Sequence, residues 1–177
     1  FRSVIATMAL FSGDGAGVLG RLLKQYGAQI IGGLHLQMPD SIADEKVLKR
    51  SLEKNTQLVR NANKKIVKAV ANIKDGNYPQ EGLGTLSRLA GFLSQRLWFG
   101  YRTRKYSNKL KVHADKCIGC SKCVKICPTE NIIMTDNKAQ GKDKCTVCYR
   151  CVNVCPKQAI TLLGETVIEQ TSVEKYL

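Results

Sequence analysis

The chain has 177 residues, 44% of them hydrophobic, and a formal charge of +14. Its length allows one or two domains, and the lack of an apolar run of about 18 residues excludes a transmembrane helix. A balance this basic favours acidic partners, nucleic acid or an anionic membrane surface, a solvated cationic exterior being the alternative.

Residues 3–11 form a short apolar run and predict a buried strand. Ser12-Gly13-Asp14-Gly15-Ala16-Gly17 breaks it with turn residues. Val18, Leu19, Leu22 and Leu23 then recur at helical spacing, and Gly27 is a natural stop. Residues 28–38 predict a second strand, ended by Pro39-Asp40. Strand, loop, helix and strand in that order predict a parallel α/β unit with a right-handed crossover.

Residues 44–75 place Leu48, Leu52, Val59, Ala62, Ile66, Val70 and Ile73 at steps near 3.6. They predict one long helix that covers the sheet with a lysine-rich face outward. Residues 76–84, with Pro79, read as a linker. The stretch 83–111 is basic and aromatic, and Leu86, Leu89, Leu93 and Leu97 make a one-sided stripe. The stripe predicts a helix that buries it between domains; a membrane-surface or nucleic-acid contact is the alternative.

All eight cysteines fall in two matching runs. Cys117-x-x-Cys120-x-x-Cys123-x-x-x-Cys127-Pro128 recurs 28 positions later as Cys145-x-x-Cys148-x-x-Cys151-x-x-x-Cys155-Pro156. This is the bacterial spacing for [4Fe-4S] ligation, in which the fourth cysteine of each run serves the other cluster. Cluster I would use Cys117, Cys120, Cys123 and Cys155; cluster II would use Cys145, Cys148, Cys151 and Cys127. Zinc commonly takes two C-x-x-C knuckles into one tetrahedron and fits these runs poorly. Two clusters bring the charge to about +10 when oxidised, each core with its thiolates carrying about −2. Ile118, Val124, Ile126, Val147, Val152 and Val154 would exclude water, which disfavours added negative charge and implies a potential of about −400 mV or lower. Reduced thiolates imply a cytoplasmic setting, and oxygen-sensitive clusters an anaerobic one. Tyr149 reads either as a residue packed against a cluster or as core filling; His35 and His113 read as structural.

The loop at 12–17 follows a strand and opens a helix, where backbone amides can meet an anion or a planar ring. Ser12, Gly13, Asp14 and Gly15 are therefore candidate cofactor contacts. No nucleophile–base pair is evident, since neither histidine lies near a suggestive serine in the sequence.

The chain resembles the flavodoxin–ferredoxin fusion proteins of anaerobic prokaryotes. Asp115-Lys116-Cys117-Ile118-Gly119-Cys120 is similar to the entry into cluster I of bacterial ferredoxins. Gly32-Gly33-Leu34-His35-Leu36-Gln37-Met38-Pro39-Asp40, followed by a lysine-rich helix, resembles the last strand and helix of the flavodoxin part. The resemblance implies a partial flavodoxin-like domain at 1–76, a basic-aromatic linker or helix at 77–111, a two-[4Fe-4S] ferredoxin domain at 112–164 and a tail at 165–177. The fold class expected is the C-terminal part of a flavodoxin-like parallel sheet (α/β) followed by an α+β ferredoxin-like domain. The first strand and phosphate loop that hold FMN in that family have no counterpart here, and the chain opens on Phe1. A longer gene product is therefore expected, with FMN in doubt for this chain. The function expected is low-potential electron transfer, exchanging with FMN where the flavodoxin-like domain is complete. The alternative is a flavin-dependent reductase whose clusters supply electrons. Acidic redox proteins are the expected partners, with no nucleic acid.

Overall fold

The computed structural model describes residues 2–47 and 49–177, with Trp98, Phe99, Arg102 and Thr103 described by backbone alone. The chain divides into two compact units. One comprises Phe1–Pro39, Arg50–Gly100 and Tyr176–Leu177; the other comprises Asp40–Lys49 and Tyr101–Lys175.

In the first unit, β1 (Arg2–Met8) and β2 (Ile30–Gln37) pair in parallel, with Ile5 opposite Leu34 and Thr7 opposite Leu36. Helix α1 (Gly15–Lys24) makes the crossover, and Gly27 follows it with φ +80°, the left-handed stop expected of that glycine. Among the described residues the parallel sheet has two strands, fewer than a flavodoxin-like sheet has. Residues 76–84 are more than a linker. The Gly33 amide donates to the Pro79 carbonyl (2.7 Å) and the Glu81 amide to the Gly33 carbonyl (2.9 Å), so this stretch runs along the outer edge of β2. Glycine is needed at 33, where a Cβ would stand 2.9 Å from Leu83 Cγ.

Helix α2 spans Leu52–Lys74, capped by the Ser51 hydroxyl, which accepts from the Lys54 amide (3.3 Å). It starts later than its periodicity predicts, because the preceding residues belong to the other unit; Leu48 lies outside the described residues. Its buried face is Asn55, Val59, Ala62 and Ala69, and Leu34 and Leu36 of β2 pack on the two alanines. Leu52, Ile66 and Val70 of the expected stripe are exposed instead, since a narrow sheet covers only part of it.

A continuous helical segment follows: α3 (Thr85–Gly91), a π-helical stretch (Phe92–Phe99) and α4 (Gly100–Arg104). The expected burial of Leu86, Leu89, Leu93 and Leu97 does not occur. All four are exposed, and the segment docks through Gly91 and its polar neighbours.

The second unit is built on the 28-residue repeat. Helices α5 (Lys122–Ile126) and α6 (Arg150–Val154) occupy equivalent positions and pack on each other. Strands β3 (Lys111–Val112) and β6 (Ile160–Thr161) pair antiparallel. So do β4 (Ile132–Thr135) and β5 (Lys138–Gly141), which are joined by Asp136 and Asn137. Both turn residues have positive φ (48° and 58°), as a two-residue type I′ hairpin requires. Ile132, Tyr149, Val152, Ile160 and Leu162 form the core, with Ala43 inserted from the Asp40–Lys49 strap. Residues beyond 164 are tied in as well as trailing. The Ile168 and Glu169 amides donate to the Ala43 carbonyl (2.8 and 3.0 Å), and Gln170 Nε2 donates to the Val152 carbonyl (2.8 Å).

Candidate metal centres

The repeat in sequence is a repeat in backbone. Gly119 and Val147 are equivalent and left-handed (φ 71° and 58°), as are Ser121 and Tyr149 (58° and 59°) and Glu130 and Gln158 (51° and 49°). Left-handed residues alternate with the cysteines, so each C-x-x-C-x-x-C loop curls until its third cysteine enters a short helix. Cys123 and Cys151, on α5 and α6, are buried, whereas Cys120 and Cys148 at the crowns of the loops are exposed. Each run leaves its helix at the fourth cysteine, where φ/ψ turn extended ahead of proline.

This geometry sorts the eight sulfurs into two recesses. Cys117, Cys120, Cys123 and Cys155 line one. Cys127, Cys145, Cys148 and Cys151 line the other. Three members of each group come from one loop and the fourth from the other repeat. Ile118 and Ile160 join the first recess, Ile132, Val152 and Leu162 the second, so both have apolar walls. Of the apolar residues expected around the cysteines, Val124 and Val147 pack against the core and Val152 lies within it.

Backbone amides aim at the sulfurs. The Asn131 amide donates to Cys127 Sγ and the Ala159 amide to Cys155 Sγ, both at 3.2 Å and at equivalent places in the repeat. The Val147 amide donates to Cys145 Sγ (3.4 Å) and the Ala139 amide to Cys117 Sγ (3.5 Å). Burial pushes the Cys123, Cys145 and Cys151 thiols up, Cys151 to about 12. The Ala139 and Gly119 amides bring Cys117 down. At Cys127 burial pushes up, but the Thr129 and Asn131 amides and the Thr129 hydroxyl outweigh it. A thiol raised by burial ionises when a cationic metal core supplies the missing positive charge. Among the described residues no three histidine, cysteine or acidic side chains converge tightly enough for a single ion. Zinc needs all its donors around one point, about 2.3 Å from each thiolate. An iron–sulfur cube spreads its thiolates over separate irons, so the quartets fit that group better.

The residue that sequence reasoning missed is Asp44. It is buried, and its Oδ1 accepts from the Tyr149 hydroxyl (2.6 Å). Its Oδ2 accepts from the Leu162 and Leu163 amides (2.6 and 3.1 Å). Tyr149 thus lines the second recess with its hydroxyl anchored, and burial followed by the Asp44 hydrogen bond drives its ionisation well up. No local pattern marks a carboxylate that acts 105 residues away. His113 is structural as expected: its amide donates to the Ala159 carbonyl (2.8 Å) and its Nε2 lies 3.3 Å from Thr161 Oγ1.

The loop at 12–17 faces the π-helical region of the first unit. Asp14 is buried; its carboxylate accepts from Arg96 (2.8 Å) and Arg21. Burial pushes Asp14 up, but the two guanidinium groups outweigh it and hold the carboxyl below its usual range. Gly13 (φ +56°) touches Gly91, and Gly15 lies against Ala6 and Ser12. The fold also places Ser12 beside His35, correcting the expectation that no serine neighbours a histidine. Ser12 Oγ is 3.2 Å from both ring nitrogens, so it is not aligned with either lone pair. The Ala16 amide donates to Nε2 (3.4 Å), which occupies the site a general base would use. Burial lowers the His35 pKa. The contact is a packed hydrogen bond and lacks the geometry of an activated nucleophile.

Among the described residues no helix is long and apolar enough to cross a membrane. No curated protein matches the chain. Residues 110–162 match the family model described as a 4Fe-4S dicluster domain. That match covers both cysteine runs and both recesses, so this mixed α/β protein carries a ferredoxin-type 4Fe-4S domain at residues 110–162, of a kind that transfers electrons.

Proposed function

We propose that the chain is an electron carrier holding two [4Fe-4S] clusters with crossed ligation. Cys117, Cys120, Cys123 and Cys155 hold one, and Cys145, Cys148, Cys151 and Cys127 hold the other. The observation that carries this reading is that each mixed quartet lines one apolar recess. When bound, each cube accepts and releases one electron. The chain's own residues do the rest. The amides of Asn131, Ala139, Val147 and Ala159 stabilise charge on the sulfurs, and the core residues restrict water. The exposed Cys120 and Cys148 mark where each recess comes nearest to solvent, and hence to a partner. Acidic redox proteins suit the chain's positive charge, which persists after cluster assembly.

The β1–α1–β2–α2 unit corresponds in this reading to the later part of a flavodoxin-like sheet. Two features support it. Among the described residues β1 has β2 as its one sheet partner, which leaves its other edge open. An apolar groove between the sheet face and α2 is lined by Ile5 of β1, Leu34 of β2 and Ile66, Val70 and Ile73 of α2. Parallel sheets are normally covered on both faces and seldom stop at two strands. Exchange of electrons with FMN then belongs to a complete domain of this kind.

Iron and acid-labile sulfide measured on anaerobically reconstituted protein test the cluster assignment. About eight irons and eight sulfides per chain are expected for two cubes. Stoichiometric zinc without sulfide overturns it. Flavin released on denaturing the full gene product tests the FMN reading separately.

A further inference from the structure

The segment from Thr85 to Phe99 is amphipathic in the reverse of the usual sense. Its inward side is Gly91, with Ser94 bonding back to the Ala90 carbonyl and Gln95 reaching the Phe11 carbonyl (3.1 Å). Its outward side carries Leu86, Leu89, Leu93 and Leu97, exposed by 80%, 56%, 55% and 53%, with Phe92 at 47%. The wider π-helical turn keeps residues spaced by four nearly in line, so Leu89, Leu93 and Leu97 make one continuous ridge. A contiguous apolar ridge in water marks an interaction surface.

The charge around it indicates the occupant. From Gly82 to Ala114 the sequence has Arg88, Arg96, Arg102, Arg104, Lys105, Lys109 and Lys111, and no Asp or Glu. Arg96 is engaged with Asp14; Arg88, in the same unit as the ridge, is exposed. A second copy docked on the ridge would bring two such cationic stretches together. An acidic protein would need, besides the charge, an apolar groove matched to the leucines. An anionic bilayer satisfies both, taking the leucines at the acyl boundary and the cations among the headgroups. We propose that this face docks peripherally on an anionic membrane surface, without spanning it. The proposal stands on the first unit and on sequence charge, so it is independent of the cluster reading.

The test is co-sedimentation of the reconstituted full chain with vesicles of phosphatidylcholine alone or mixed with phosphatidylglycerol. Partition onto the mixed vesicles should be at least about tenfold stronger and should weaken with salt. The L89E/L93E variant, altered at exposed positions, should lose at least about tenfold in partition while keeping its iron content and melting temperature. Failure to bind mixed vesicles at low salt, or binding unchanged by L89E/L93E, overturns the proposal. So does a dimer of the free chain that L89E/L93E dissolves, which would make a second copy the occupant.

Discussion

Gly119 and Val147 occupy the same place in the repeat and the same left-handed backbone region, yet one is glycine and the other β-branched. At Gly119 a Cβ would also stand 2.6 Å from the Asn137 carbonyl oxygen. Gly119→Ala should therefore displace the Cys117–Cys120 loop and lower iron content toward about four per chain, read by iron and sulfide analysis. Val147→Gly should be nearly neutral, within about 1 kcal/mol by chemical denaturation. Release of a left-handed cost of about 1–2 kcal/mol is offset by backbone entropy and lost side-chain packing. Asp14 makes a further residue-scale prediction. Its folded pKa is depressed, so its contribution to stability is full above the ordinary aspartate range. That contribution is lost as pH falls through the depressed value. Asp14→Asn should cost about 1–3 kcal/mol at neutral pH and flatten this acid limb, followed by thermal melts of the first unit from pH 7 to pH 2.

Among the elements, the helical segment at 85–104 depends on a close approach that only glycine permits. A Cβ at Gly91 would lie 2.9 Å from the Asp14 amide nitrogen, beside the carboxylate that binds Arg21 and Arg96. Gly91→Ala should destabilise the first unit by about 1–3 kcal/mol in urea, with the cluster absorbance unchanged. The same docking explains why periodicity misled. The leucine ridge has the pattern of a buried helix, but glycine packs closer than leucine, and the Arg96–Asp14 bond fixes which side turns inward. The body of helix α2 was legible from its spacing, whereas its start behind the Ser51 cap was not. The stretch before it is claimed by the Asp44 contacts, made with residues more than a hundred positions away.

At the scale of the molecule, the proposed crossed ligation would couple the two repeats into one structure. Cys155→Ser should open the centre formed by the first run and spare the one formed by the second. In that variant Cys117, Cys120 and Cys123 should become open to alkylation while Cys145, Cys148 and Cys151 stay protected, as read by mass spectrometry. The converse is expected of Cys127→Ser. If the loss instead followed the mutated run, the crossed assignment would be wrong. Chelating the iron should unfold the second unit to a greater extent than the first, because burial raises the Cys123, Cys145 and Cys151 thiols and leaves them little reason to ionise without a metal core.

The spacing of the cysteines by itself determined the chemistry of the second unit. Soft thiolates at x-x and x-x-x intervals ahead of proline leave few other uses for eight sulfurs, and a duplicated run implies a duplicated backbone. Local pattern also determined the parallel β1–α1–β2 order and the body of α2. Tertiary structure decided the rest. It brought Asp44 to Tyr149 and turned the leucine ridge outward. Each of these depends on groups far apart in the chain meeting at a distance of a few ångströms, and no local periodicity encodes such a meeting.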